Sequence, residues 1–299
     1  MDAETDIVHR FLFDDTQIRG EVVTLADSYR QAVAHQDLPI EGQQLLGRFL
    51  VAAVLMAETL KIDGTVSLQI KSEAGPVSFA FAEASSDGAL RCVLKMREKV
   101  SAQGSFFEQD FPAIFDRGIL TITIDPEDGD RYQGIVPLEG ESLAACLEAY
   151  FERSEQIRTR FTIHADEKHA AGLMLQALPL QADDTDQGQA KRAEFDEQWN
   201  TALALSDTLS AEELLGDRHD VLLTKLYHEL SCRIFPGRSC RFECSCSAER
   251  CARAIQSLGA EQAFELLRES APIRVDCEFC SAHYEFDEPS LERMFAQSS

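Results

Sequence analysis

Near its C-terminus the chain reads ECSCSAERC over residues 243–251 and CEFC over residues 277–280. Cys244 and Cys246 form a C-x-C pair, and after thirty intervening residues Cys277 and Cys280 form a C-x-x-C pair. A C-x-x-C turn sets two sulfurs along one edge of a tetrahedron, with backbone N–H groups of the turn directed at the thiolates. A C-x-C pair on extended backbone supplies the opposite edge. Four thiolates favour Zn²⁺ over hard cations such as Mg²⁺ or Ca²⁺. Iron–sulfur ligation is the other chemistry open to four cysteines, but a one-residue spacing is unusual for it. One Zn²⁺ per chain on Cys244, Cys246, Cys277 and Cys280 is therefore expected.

Around these cysteines, the segment from Cys232 to residue 299 reads as a small zinc module. Residues 248–258 and 261–269 have helical spacing, and 273–276 and 283–286 read as strands flanking the knuckle. About 65 residues with few large apolar side chains need a staple such as a metal. Upstream, residues 181–231 read as a helical linker. Phe195, Trp199 and Leu203 fall four apart, as do Leu222, Leu226 and Leu230, and Ser210-Ala-Glu-Glu resembles a helix start. Between residues 181 and 230 stand twelve acidic residues against four basic ones. Short, heavily charged helices of this kind are ordered when docked and disordered when released. The domain boundary is placed in the polar run 181–188.

Residues 1–180 read as an α/β sheet domain, so the fold class is α+β. Residues 41–60 form a helix, apolar nearly all round. Strands follow near 64–70, 77–81, 90–93, 120–124, 132–136, 161–163 and 172–178, with a short helix over 142–151. Many strands with few helices between them predict an antiparallel sheet with helices packed on it.

The whole chain has 299 residues and a formal net charge of -24. That charge argues against nucleic acid and anionic membranes, which need Lys and Arg. The longest apolar run, Phe49 to Ala57, is too short for a bilayer, and the acidic N-terminus does not read as a secretory signal. Seven of the nine cysteines lie at or after Cys232. Clustered and odd in number, they suit metal or redox chemistry in a reducing cytoplasm rather than a secreted disulfide scaffold.

The C-terminal cysteine segments resemble those of the 33-kDa chaperonin family, the redox-regulated heat-shock holdases of bacteria. So do GRFLVAAVLMAETLKIDG (47–64), LTITIDPEDGDRYQGIVPL (120–138), YFERSEQ (150–156) and AAGLMLQALP (170–179). The resemblance implies an ATP-independent chaperone, not an enzyme. It implies an N-terminal client-binding and dimerisation domain, a metastable linker and a zinc module. The reduced, zinc-bound form is inactive. Oxidation releases zinc, forms disulfides, unfolds the linker and exposes apolar surface that holds unfolding proteins, with formation of a homodimer. By motif position the redox disulfides are Cys244 with Cys246 and Cys277 with Cys280. The apolar stripe Phe195, Trp199, Leu203 is the expected linker switch.

Two other readings compete. A nucleic-acid-binding zinc ribbon conflicts with the acidic charge. A thiol–disulfide oxidoreductase needs its C-x-x-C at a helix N-terminus, whereas Cys280 leads into a strand. His283 is expected to pack or to support the site from outside the ligand set. Cys92 and Cys146 read as core residues. Cys232 and Cys240 read as half-buried residues on strands entering the module, and Cys251 as a non-ligand. Gly129 and Gly134 read as turn or strand-end glycines.

Overall fold

The computed structural model describes residues 4–60, 63–97, 111–180 and 185–296, and its contacts divide into two units, Met1–Phe242 and Glu243–Ser299. The first four residues of the boundary expected at 181–188 lie outside the described residues. The first unit begins with β1 (Ile7–Phe13), β2 (Ile18–Leu25), α1 (Asp27–Val33), α2 (Ile40–Glu58), β3 (Gly64–Lys71), β4 (Val77–Ser85) and β5 (Ala89–Met96). It continues through α3 (Phe111–Ile114), β6 (Ile119–Pro126), β7 (Tyr132–Pro137), α4 (Leu143–Tyr150), β8 (Thr159–Ala165) and β9 (Ala170–Ala177). The last part comprises α5 (Asp186–Ser206), α6 (Ala211–Gly216), α7 (His219–Leu226), β10 (Cys232–Ile234), β11 (Arg238–Ser239) and β12 (Arg241–Phe242).

These strands form two sheets rather than the single one expected. One has the order β10-β1-β2-β9-β8, with β11 also on β1; the other has the order β12-β5-β4-β3-β6-β7. Pairing is antiparallel except where β12 runs parallel to β5. In β3 the inward set Val66, Leu68 and Ile70 is fully buried between half-exposed polar residues. Helix α2 supplies Leu46, Phe49, Leu50, Val51 and Leu55 to a core shared with both sheets. By length and composition this helix passes for a membrane span, although its longest uninterrupted apolar run is short. It is mostly buried and serves as the core helix.

The opposite face of the first sheet is also covered. Phe11, Phe13, Ile18, Val22, Leu173 and Leu175 pack against Phe195, Trp199, Leu222, Leu223 and Tyr227 from α5 and α7. Strands β2 and β9 are thus buried on both faces and lose the alternation that marks a half-exposed strand. The linker differs from its expectation in one respect: α5 is not short but spans 21 residues. The helix start at Ser210 is a capping box. The Ser210 hydroxyl accepts from the Glu213 N–H, and the Glu213 carboxylate accepts from the Ser210 N–H.

The Cys-rich unit starts later than the expected Cys232. Residues 232–242 belong to the first unit, because β10 and β11 pair with β1 and β12 pairs with β5. Gly134 is a mid-strand residue of β7 and not a strand end; a Cβ there would stand 2.7 Å from the Tyr150 ring. The second unit contains α8 (Ala248–Leu258), α9 (Ala260–Glu269), β13 (Ile273–Asp276), β14 (His283–Phe286) and α10 (Glu288–Ala296). Its buried core is Ile255, Ala263, Leu267, Ile273, Phe286 and Leu291.

Candidate metal centre

Strands β13 and β14 form an antiparallel hairpin in which Ile273 faces Phe286, Val275 faces Tyr284 and Asp276 faces His283. The connecting turn carries Cys277 and Cys280. It is closed by the Cys277 N–H donating to the Ala282 carbonyl (2.9 Å) and the Ser281 N–H donating to the Cys277 carbonyl (2.8 Å). Ser281 takes the left-handed conformation, φ 55°. On the other side, Ser247 caps α8 by accepting from the Arg250 N–H, so Cys244 and Cys246 lie on the extended segment just before the helix.

The four Sγ atoms lie within 4.8 Å of one another. Cys244 Sγ is 3.5 Å from Cys277 Sγ, and Cys246 Sγ is 3.4 Å from Cys280 Sγ. Tetrahedral zinc with Zn–S bonds of about 2.3 Å requires sulfur separations of about 3.8 Å. An all-sulfur, half-buried donor set at these distances fits Zn²⁺. The shortest contacts cross between the C-x-C and C-x-x-C pairs, as two edges of a tetrahedron.

The sulfurs are not equivalent. Burial pushes the Cys244 thiol up to about 12. Burial also raises Cys246, but hydrogen bonds from the Tyr284 hydroxyl and from its cysteine neighbours outweigh it and bring Cys246 down to about 7. The Tyr284 hydroxyl donates to Cys246 Sγ at 3.1 Å. Sequence reading missed Tyr284; its only trace there is a strand position two residues short of the inward-facing Phe286.

The hairpin's alternation turns His283 the other way. It is exposed and pairs with Asp276, so it neither packs in the core nor joins the sulfurs. The remaining cysteines are free thiols outside the cluster. Cys92 and Cys146 are buried in the first unit, as expected, and burial raises both thiols. Cys232 is half-buried on β10, and Cys240 is buried in the first unit's core. Burial pushes each thiol up to about 12.

On the linker, Phe195 and Trp199 are buried and Leu203 is partly buried in the same cluster. The Arg158 guanidinium, just before β8, lies 5.1 Å from the Phe195 ring centroid and 5.6 Å from that of Trp199, and it donates to Asp196 at 2.8 Å. Arg160 on β8 pairs with Asp207 just beyond α5. The Tyr227 hydroxyl and Ser206 Oγ hydrogen-bond at 2.7 Å, tying the ends of α7 and α5. His219, the first residue of α7, is 2% exposed. Its Nδ1 lies 2.8 Å from His9 Nδ1, and its Nε2 lies 3.0 Å from Thr24 Oγ1.

A buried apolar linker on one unit and a four-sulfur metal centre in the other define a metal-dependent, thiol-based regulatory protein. The family model described as Hsp33 protein matches residues 6–287. The 33 kDa chaperonin of Azotobacter vinelandii is 44% identical over 295 residues, covering 98% of this chain and 96% of that one. That of Ectopseudomonas mendocina is 44% identical over 293 residues, covering 97% and 95%. The crystal structure of the 33 kDa chaperonin from Thermotoga maritima shares the fold, with a TM-score of 0.79 at 22% identity, over 98% of this chain and 99% of that one. The chain belongs to the Hsp33 family of redox-regulated holdase chaperones, non-enzymatic proteins that bind unfolded clients, and its C-terminal four-cysteine cluster is the zinc site.

Proposed function

We propose that oxidation of the four-cysteine centre releases the linker and so uncovers the surface that holds clients. Bound zinc supplies the positive charge that keeps four thiolates gathered and deprotonated at neutral pH. Peroxide converts one Sγ to a sulfenic acid; the adjacent cysteine then displaces water and closes the S–S bond. The redox pairs are Cys244 with Cys246 and Cys277 with Cys280. The C-x-x-C pair closes the less strained ring and reacts first. Each disulfide removes two thiolate donors from the metal site. The six-residue apolar core of the module is too small to keep it folded without them.

The chain runs from α7 through the short strands β10–β12 directly into Cys244. Unfolding of the module leaves the linker's C-terminal side held only by the short pairings of β10 and β11 with β1 and of β12 with β5, which then give way. Phe195, Trp199 and Leu203 then leave the sheet, and Phe11, Phe13, Val22, Leu173 and Leu175 become accessible to unfolding proteins and to a second copy, giving an oxidised homodimer. Each Å² of apolar surface re-covered contributes about 25 cal/mol, with no need for ATP. The acidic chain works in the reducing cytoplasm and takes neither nucleic acid nor membrane as partner.

The observation that carries this reading is the apolar sheet face covered by a charged, acidic linker. The test measures zinc content and suppression of client aggregation on the same samples before and after peroxide. Zinc loss with gain of activity is expected. Equal activity in both states removes the switch, and a requirement for ATP removes the holdase.

A further inference from the structure

We propose that the free edge of β7 is a second client contact, open while the linker is still docked, where an extended uncharged segment of an unfolding protein adds as a further strand. β7 ends the second sheet, with β6 on one side and no strand on the other among the described residues. Antiparallel strands bond through alternate residues, so one phase runs through the whole sheet. The Ser72 N–H donates to the Ser78 carbonyl and the Ser86 N–H to the Gly64 carbonyl, so the even-numbered residues of β3 bond to β4. Its odd-numbered residues bond to β6, in phase with the Glu127 N–H that donates to the Asp63 carbonyl. β6 therefore bonds to β7 through Leu120–Val136, Ile122–Gly134 and Ile124–Tyr132. The N–H and C=O groups of Gln133 and Ile135, and the Pro137 carbonyl, are left directed off the sheet.

An open edge pairs readily with any extended chain, and proteins blunt it with charge. The other outer strands of the two large sheets carry such charge: Arg160 on β8, Arg233 on β10, Arg238 on β11 and Arg241 on β12. β7, YQGIVP, carries none, and its Ile135 is 73% exposed. A cavity of about 320 Å³ lies between this strand and α4, walled chiefly by Ile135, Val136, Pro137, Ala145, Cys146 and Ala149. The two charged residues on its wall, Arg153 and Glu139, pair with each other at 3.3 Å. Strand addition uses these two features, a row of free backbone groups for affinity and a pocket for alternate side chains. Such a site takes the backbone of any sequence together with an apolar side chain, and an unfolding protein offers both. One added strand is too small a contact to hold a client alone, so reduced protein remains a poor chaperone. Once the linker leaves the first sheet, the edge and the uncovered face engage the same client, and each raises the effective concentration seen by the other.

The probe is a short Thr-Val repeat peptide bearing fluorescein and a polyethylene glycol tail, followed by anisotropy as full-length, reduced, zinc-loaded protein is added. Saturable binding is expected, and the same peptide methylated on every backbone nitrogen should not bind. Ile135→Pro deletes an outward N–H and leaves the β6–β7 hydrogen bonds in place, a substitution that edge strands tolerate. One backbone hydrogen bond changes affinity by about two- to twelvefold, and the ring also holds the incoming strand away, so a loss of roughly tenfold or more is expected. Ile135→Lys keeps the N–H but charges the edge, and should weaken binding as well, with zinc content and circular dichroism of both variants unchanged. No binding by the reduced parent, equal binding of the methylated peptide, or equal affinity in either variant overturns the proposal. So does a parent that sediments alone as a dimer that Ile135→Pro splits, because the edge then belongs to a second copy. Reduced protein that binds the peptide as expected, beside oxidised protein that holds no client, leaves the edge standing and defeats the redox reading instead.

Discussion

Removing one sulfur from a tetrahedral site leaves three donors and a gap that the small core of the module cannot fill. Cys277→Ser should therefore lower zinc retention at least tenfold against a competing chelator, while Cys92→Ser, in the first unit's core and outside the four-sulfur cluster, should leave it unchanged. Stoichiometric zinc in Cys277→Ser means the ligand set is wrong. A second residue gives the linker a pH dependence. One nitrogen of the His9–His219 pair donates and the other accepts, so the buried geometry is satisfied with His219 neutral. Burial, and then the positive charge of His9, bring His219 from the usual 6.5 down to about 3, only partly offset by Asp220. Once released, the imidazole returns to its ordinary value. The released state therefore binds the extra proton between pH 6.5 and 3, and docking loses stability as pH falls through that window. The open-to-closed ratio should rise up to tenfold per unit below 6.5. Protease cleavage within residues 186–226, followed from pH 7.5 to 5.5 on zinc-retaining protein, checks this. His219→Gln should flatten the profile, and an unchanged slope in that variant contradicts the role of the histidine.

At the scale of the element, α5 is held by an apolar stripe and by two arginines at the start of β8, Arg158 just before it and Arg160 on it, rather than by its own sequence. Trp199 is 4% exposed and lies under Arg158. Losing a buried Trp or Phe side chain costs about 3–5 kcal/mol in a core, and a carboxylate in its place costs more. Trp199→Glu should release the linker without oxidant, giving chaperone activity in reduced, zinc-loaded protein. A variant that keeps its zinc and a protease-resistant linker, and stays inactive, shows that this stripe does not control release. The stripe itself was legible in sequence because its residues fall four apart on a long helix. Strands β13 and β14 were legible because one side is exposed, so alternation survives. Strands β1 and β2 were missed, β2 because α2 buries one side and the linker the other. What α5 docks on could not be read for the same reason. The four sulfurs announce themselves by spacing, whereas Tyr284 meets Cys246 only through a strand register that spacing does not encode.

At the scale of the whole molecule, the division of labour follows from core size. The first unit has a large core spanning two sheets and α2, able to persist through an oxidation event. The second has six buried residues and a metal site, so its stability is tied to the redox state of four sulfurs. The net charge of -24 keeps such a protein dispersed while it exposes apolar surface. Amide hydrogen exchange on reduced, zinc-loaded protein and on peroxide-treated protein tests the coupling between the two units most directly. The account predicts that oxidation strips protection from residues 186–226 while β2 and β9 stay protected, in step with the gain of client holding. Client holding that rises while α5 and α7 remain fully protected contradicts it.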